Sequence, residues 1–397
     1  MSVHYVVQRS LLGVALVGAL IFILTAVFNV SAVSYEKGSI DNQDDVERAL
    51  LVDEIQVEEP FVVTHLQTPE SVKAVYMSSW VAATPSIRDK IINLVDDTEI
   101  NAVVIDIKDS TGKVSFLVDD ETVNQYGSTE DRIKNIQEFI QKLHDKNIYV
   151  IGRISVFQDP YLSPLHPELA IKKKSDGTVW KDKKGLSFLD PSNQDVWKYI
   201  VAIAHEGYRL GFDEINFDYI RFPSDGNIVD IVYGLDDTSS RADVIESFFK
   251  YLHTELITTE TKIPMSADLF GMVTTVNDDL GIGQVLERAL PYFDAIAPMI
   301  YPSHYPKNWN NFANPADHPY DVITLAMQEG IGKAAVVGFD QTSFRPWIQD
   351  FNLGATYTAD MVKAQIQALE DLDIDSWMVW DPANTYTESA FRENESL

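Results

Sequence analysis

"EINFDYIRFPSDG", residues Glu214 to Gly226, alternates polar and apolar side chains and then runs into a proline and a glycine. The period-two rule puts Glu214, Asn216 and Asp218 on one face of a strand and Ile215 and Phe217 on the other. Three polar residues are an expensive choice for one face of an otherwise core-like strand. Whether they point to solvent, core or cleft depends on the elements around this strand.

Eight short runs share its texture: "KAVYM" from Lys73, "AVVIDI" from Ala102, "YVIGRIS" from Tyr149, "EINFD" itself, "PMSAD" from Pro264, "AIAPMIY" from Ala295, "AAVVGF" from Ala334 and "SWMVW" from Ser376. Amphipathic segments lie between them, at Ile87–Val95, Arg132–Lys142, Val196–Tyr208, Val244–Leu256 and Asp360–Leu372. Strands alternating with helices require parallel pairing through right-handed crossovers. Eight such units predict an α/β fold for residues 72–397, a closed (β/α)8 TIM barrel with enlarged loops. The competing doubly wound open sheet would carry a glycine-rich phosphate turn after its first strand, where this chain reads "SSWVAATPS".

In a barrel the outer helices cover the apolar face of each strand, so Glu214, Asn216 and Asp218 turn to the axis, with Asp218 at the mouth. Active sites of such barrels lie at the C-terminal strand ends. The chain places Asp106, Lys108 and Asp109 at the end of the second strand, Arg153 and Ser155 on the third and Arg221 just past the fourth. Asp268 closes the fifth, Tyr301 the sixth, and Trp380 and Asp381 the eighth. Each has a plain structural reading as well. Asp109 or Asp381 would serve as a loop or helix cap, Arg221 would pair with a structural carboxylate, and Tyr301 and Trp380 would be core aromatics with a polar tip at the rim. Acidic residues at four strand ends together favour chemistry.

Paired carboxyls under a ring of aromatics suit glycoside hydrolysis. One carboxyl protonates the leaving oxygen and the other attacks or stabilises the oxocarbenium-like centre. On this reading Asp218 and Asp268 are the catalytic pair. Asp218 stays ionised beside a cation such as Arg221 or Lys108, and the negative charge of Asp218 helps Asp268 keep its proton. Asp106, Lys108, Arg153, Asn216, Arg221, Tyr301, Trp380 and Asp381 would bind the sugar, with Tyr301 reaching the strand-four aspartate. Metal hydrolysis fits poorly, since the eight histidines include no H-x-H, H-x-x-x-H or H-E-x-x-H pair. No G-x-S-x-G elbow or P-loop is present. No metal or cofactor is expected.

The 397 residues carry a formal charge of −29, which argues against a nucleic-acid partner. There is no cysteine, so disulfides and thiolate chemistry are excluded. Residues 11–33 read "LLGVALVGALIFILTAVFNVSAV" without a charge. That exceeds the roughly 7–15 apolar residues of a signal peptide and matches the ~20 that span a bilayer. With Arg9 before it and acidic residues after it, the run is expected to be a transmembrane signal anchor, leaving residues 1–10 in the cytoplasm and the barrel outside it. A cleaved signal ending near Val30-Ser31-Ala32, and hence a secreted protein, is the alternative. Residues 34–71 are expected to be an acidic linker or stalk, with room for one short helix around Asp44–Val52.

"GFDEINFDYIRFPSDG", "VVIDIKDSTG" and "APMIYPSHY" together resemble the "putative glycosyl hydrolase domain" family of bacterial envelope proteins, long a domain of unknown function. The resemblance spans essentially Val72 to the C-terminus, and F-D-Y-I-R-F-P is its specific core. It implies a (β/α)8 barrel related to the glycoside hydrolase barrels, acting on an envelope or extracellular polysaccharide. The chitinase-type strand-four pattern D-x-x-D-x-D-x-E falls on Asp213, Asn216, Asp218 and Ile220, so its proton-donating glutamate is missing. The α-amylase-like layout, a strand-four nucleophile and a strand-five acid, falls on Asp218 and Asp268, although that donor is usually glutamate. The alternative function is a non-catalytic glycan-binding barrel that serves as an envelope scaffold.

Overall fold

The computed structural model describes residues 62–235 and 238–392. The apolar run Leu11–Val33 and most of the acidic linker lie outside the described residues. Among those described, no helix is long and apolar enough to cross a membrane.

Eight parallel strands close on themselves in sequence order. They are β1 (Lys73–Met77), β2 (Ala102–Lys108), β3 (Tyr149–Ser155), β4 (Glu214–Asp218), β5 (Met265–Phe270), β6 (Ala295–Met299), β7 (Trp347–Gln349) and β8 (Trp377–Trp380). The crossover helices are α1 (Pro85–Asp97), α2 (Ile136–His144), α3 (Gln194–Arg209), α4 (Arg241–Leu256), α5 (Pro319–Val336) and α6 (Ala359–Glu370). Their starts follow local rules. Pro85 and Pro319 open α1 and α5, where a missing N–H costs nothing. Ser240 and Asp243 form a reciprocal capping box on α4. Among the described residues only the single turn Leu286–Ala289 and two 3-10 turns, Gly271–Thr274 and Leu290–Tyr292, join β5 to β6.

The outward residues of the strands, among them Ile105, Ile107, Ile154, Ile215 and Phe217, are buried in one apolar layer with the helices. The inward set divides along the axis. At the N-terminal end, Arg345 pairs with Glu214 at 2.7 Å, and Ser266 and Tyr149 also donate to Glu214. Residues 62–71 cover this end. The Leu66 N–H donates to Asp213 Oδ1 at 2.7 Å, and the His65 ring stacks on Tyr208. Ala74, Val104, Ile151, Ala297 and Met378 cluster in the interior.

One strand lies elsewhere than expected. "AAVVGF" begins within α5, and Val336 is 83 % exposed. Its valines have no sheet to join. The seventh strand is the three-residue β7, which pairs with β6 only through Met299 and Trp347 but with β8 over three residues.

Candidate active site

The C-terminal ends of the strands gather around one guanidinium. Arg153, on β3, donates from Nη1 to Asp106 Oδ1 at 2.6 Å, and from Nη2 and Nε to Asp218 Oδ2 at 2.5 and 3.2 Å. The same Nε lies 4.0 Å from Asp268 Oδ2. Four strands thus deliver three carboxyls and one cation to a site from which water is largely excluded. Three buried carboxylates beside a single cation carry more negative charge than the site can hold, and at least one must keep its proton.

Asp268 is that group. Burial, then the charge of Asp218, push its pKa up to about 8, against the pull of Arg153, Asn216 and Trp347. Its Oδ1 accepts from Asn216 Nδ2 at 2.8 Å and from Trp347 Nε1 at 2.7 Å, leaving Oδ2 on the Arg153 side. Burial also raises Asp106, although Arg153 and the Tyr76 hydroxyl, 2.6 Å from Oδ2, oppose it. Burial works against the charge on Arg153, but Asp218 and Asp106 outweigh it and keep the guanidinium protonated.

Directly after Asp218 the chain turns through Tyr219 at φ +54°. A non-glycine residue in the left-handed region costs roughly 1–2 kcal/mol. The Tyr219 N–H donates to Asp218 Oδ1 at 2.5 Å, which fixes the second carboxylate oxygen. Tyr219 and Arg221 then both line a cavity of about 440 Å³. Arg153, Asp218 and Asp268 also line it, with Tyr301, Trp347 and Trp380 among its aromatic walls. This volume is in the range of small-ligand sites.

Of the residues expected at the mouth, Arg153, Asp218, Arg221, Asp268, Tyr301 and Trp380 line this cavity. Asp106 and Asn216 stand behind the lining and hold Arg153 and Asp268 in place. Two expected residues lie elsewhere. Lys108 is fully buried outside the cavity, where its Nζ donates to Ser155 O at 2.6 Å and pairs with Asp159 at 3.0 Å. A β-bulge between Asp106 and Lys108 shifts the register and takes Lys108 out of the inward series. Asp381 accepts from the Ala383 N–H at 2.7 Å and caps the turn after β8. The cation beside Asp218 is therefore Arg153 and not Lys108 or Arg221. Among the described residues no hydrogen bond joins Tyr301 to Asp218, and no group of three or more acidic or histidine side chains is arranged to hold a metal.

Sequence reasoning missed Tyr76, Trp347 and Tyr219. Tyr76 shares the inward phase of Ala74 in "KAVYM", so strand alternation could have found it. Trp347 lies on the strand that was assigned elsewhere, and no pattern in the chain announces the backbone bend at Tyr219.

A closed parallel barrel with carboxyls, a guanidinium and aromatic rings at its C-terminal mouth has the layout of a TIM-barrel enzyme site. The sequence profile of the family described as "Putative glycosyl hydrolase domain" matches residues 74–386, and the chain belongs to this family. A hypothetical protein from Ruminiclostridium thermocellum is 33 % identical over 52 % of this chain and 98 % of its own, with a TM-score of 0.45. The glycoside hydrolase domain of PgaB (BpsB) from Bordetella bronchiseptica is similar in fold, with a TM-score of 0.58 at 13 % identity over 81 % of this chain and 99 % of its own. No curated protein matches the chain.

Proposed function

We propose that the protein is a glycoside hydrolase acting on an envelope or extracellular polysaccharide, with Asp268 as general acid and Asp218 as nucleophile or stabiliser of the oxocarbenium-like centre. The observation that carries this reading is the unlike surroundings of two carboxyls around one nitrogen, Asp218 in hydrogen-bond contact with Arg153 Nε and Asp268 4.0 Å from it. Asp218 is bonded to Arg153, while burial keeps the Asp268 proton in place to a pKa of about 8. A hydrolase needs that division, because one group must give a proton while the other meets positive charge at the anomeric carbon. Asp268 gives its proton to the glycosidic oxygen as the bond to carbon breaks. Arg153 holds Asp218 in position, Asp106 and Tyr76 hold Arg153, and Trp380 and Tyr301 offer faces for the sugar ring. The apolar run Leu11–Val33 would keep this domain on the outer side of a membrane.

The test is release of reducing ends from a panel of polysaccharides by wild type, Asp218→Asn and Asp268→Asn. Each substitution is expected to lower turnover by roughly 10²–10⁴-fold while leaving the fold intact. Near-normal turnover in both variants would refute the assignment. Binding without cleavage by the wild type would favour a glycan-binding scaffold instead.

A further inference from the structure

Arg221 has no place in the chemistry above, yet it is 9 % exposed and lines the cavity. Among the described residues no carboxylate lies within ion-pair distance of it. Among the described residues only its Nη1 is engaged, donating to Phe222 O at 3.1 Å and Ser224 Oγ at 3.3 Å. Three aromatic rings surround its guanidinium, Phe270 at 4.8 Å, Tyr219 at 5.3 Å and Phe188 at 5.9 Å. Burial works against its charge and lowers its pKa, only partly offset by Tyr219 and by the more distant carboxylates of Asp218, Asp225 and Asp182. Burying a cation with no carboxylate in contact costs several kcal/mol, whereas the buried guanidinium groups of Arg132, Arg153 and Arg345 each pair with a carboxylate.

A second feature adjoins it. The loop between β3 and α3 contains "KKKSDGTVWKDKK", residues 172–184, with six lysines and two aspartates in a chain of net charge −29. Lys172–Lys173 pairs antiparallel with Ile231–Val232 from the loop after β4. Trp180 is the core of this small sheet. It donates to Asn227 O at 3.0 Å and meets Phe188 edge-on, and Phe188 is the ring beneath Arg221. Lys174, Lys181, Lys183 and Lys184 are exposed, with no ion pair among the described residues. The lysine-rich hairpin and the unmatched guanidinium therefore belong to one structural unit at the mouth of the barrel.

We propose that the natural substrate is an anionic polysaccharide, in which one sugar places a monoanionic substituent on Arg221 while the lysines of residues 172–184 attract the flanking chain. This rests on the cavity being the glycan site proposed above. One guanidinium matches one negative charge, so a carboxylate or a phosphodiester fits beside Asp218 better than a dianionic phosphate. The forked, aromatic-flanked donor set suits a planar carboxylate. On a strongly acidic protein the hairpin supplies the local attraction that a polyanion otherwise lacks.

The experiment measures binding of the full-length chain to polygalacturonate, hyaluronan, a ribitol-phosphate teichoic acid, and the carboxyl-reduced forms of the two uronic-acid polymers. At least one anionic polymer is expected to bind tenfold or more tightly than its reduced or neutral counterpart, and to lose that margin in Arg221→Gln. Arg221→Lys should keep part of the affinity for the phosphodiester polymer and less for a carboxylate. Replacing Lys174, Lys181, Lys183 and Lys184 together with Gln, a surface change that spares the cavity, should flatten the fall of affinity with salt. Equal or better binding of uncharged polymers, no binding of any anionic one, or affinity unchanged in Arg221→Gln and in the lysine variant would each overturn the proposal. Binding without cleavage would overturn the hydrolase reading alone. Cleavage confined to an uncharged polymer would overturn this inference alone.

Discussion

Arg153 and Asp268 decide what the mouth of this barrel can do. Arg153 is the only cation in contact with Asp106 and Asp218 among the described residues. Arg153→Met leaves those carboxylates without a counter-charge and should destabilise the fold by about 3–5 kcal/mol. The deficit should be smaller at pH 5 than at pH 8, because the stranded carboxyls can take up protons, and thermal unfolding at the two pH values would show it. Asp268 has its own pH signature. Its carboxyl titrates at 3.8 in the reference state and near 8 when folded, so the unfolded chain gives up the proton first. Its contribution to stability is full below 3.8 and is lost as pH rises toward about 8. Asp268→Asn removes that loss. Its melting temperature relative to wild type should climb across this window, and a flat difference would contradict the assignment.

At the scale of elements, β3 approaches its neighbours too closely for a larger residue at its centre. A Cβ on Gly152 would lie 2.3 Å from Ile107 Cδ1 and 2.8 Å from Phe212 Cδ1. Gly152→Ala must push the Ile107 and Phe212 side chains out of their packed positions. A loss of about 1–3 kcal/mol is expected by chemical denaturation, with reduced turnover because Arg153 is the next residue. The same alternation of strand faces made most of the architecture legible in the chain. Ile215 and Phe217 against Asn216 and Asp218 reveal which way β4 faces. Alternation fails where elements are short. In β7 three residues follow Pro346 and mark no period, whereas "AAVVGF" has the β-branched density of a strand and ends a helix. It fails again at Lys108, since a bulge is a property of the paired ladder and leaves no mark in one strand's own sequence.

At the scale of the molecule, the separation of Asp106, Arg153, Asp218 and Asp268 along the chain shows why pairings in the site were not legible. Residue types at strand ends pointed to a carboxylate cluster, but which cation meets which carboxylate depends on barrel register. The apolar run Leu11–Val33 makes its own prediction. A reporter that is active only after export should be active when fused behind residue 70, and activity of a cytoplasmic reporter there would contradict the anchor. The site itself exists only when all eight strands close, because strands β2 to β5 and β7 supply Asp106, Arg153, Asp218, Asp268 and Trp347. The most direct test is therefore titration of the Asp268 carboxyl in the intact, substrate-free protein, by carbon-13 carboxyl NMR with Asp268→Asn to assign the resonance. The expected result is that Asp268 keeps its proton through neutral pH and titrates at about 8. A carboxyl already ionised at pH 5 could not serve as the proton donor, and would contradict it.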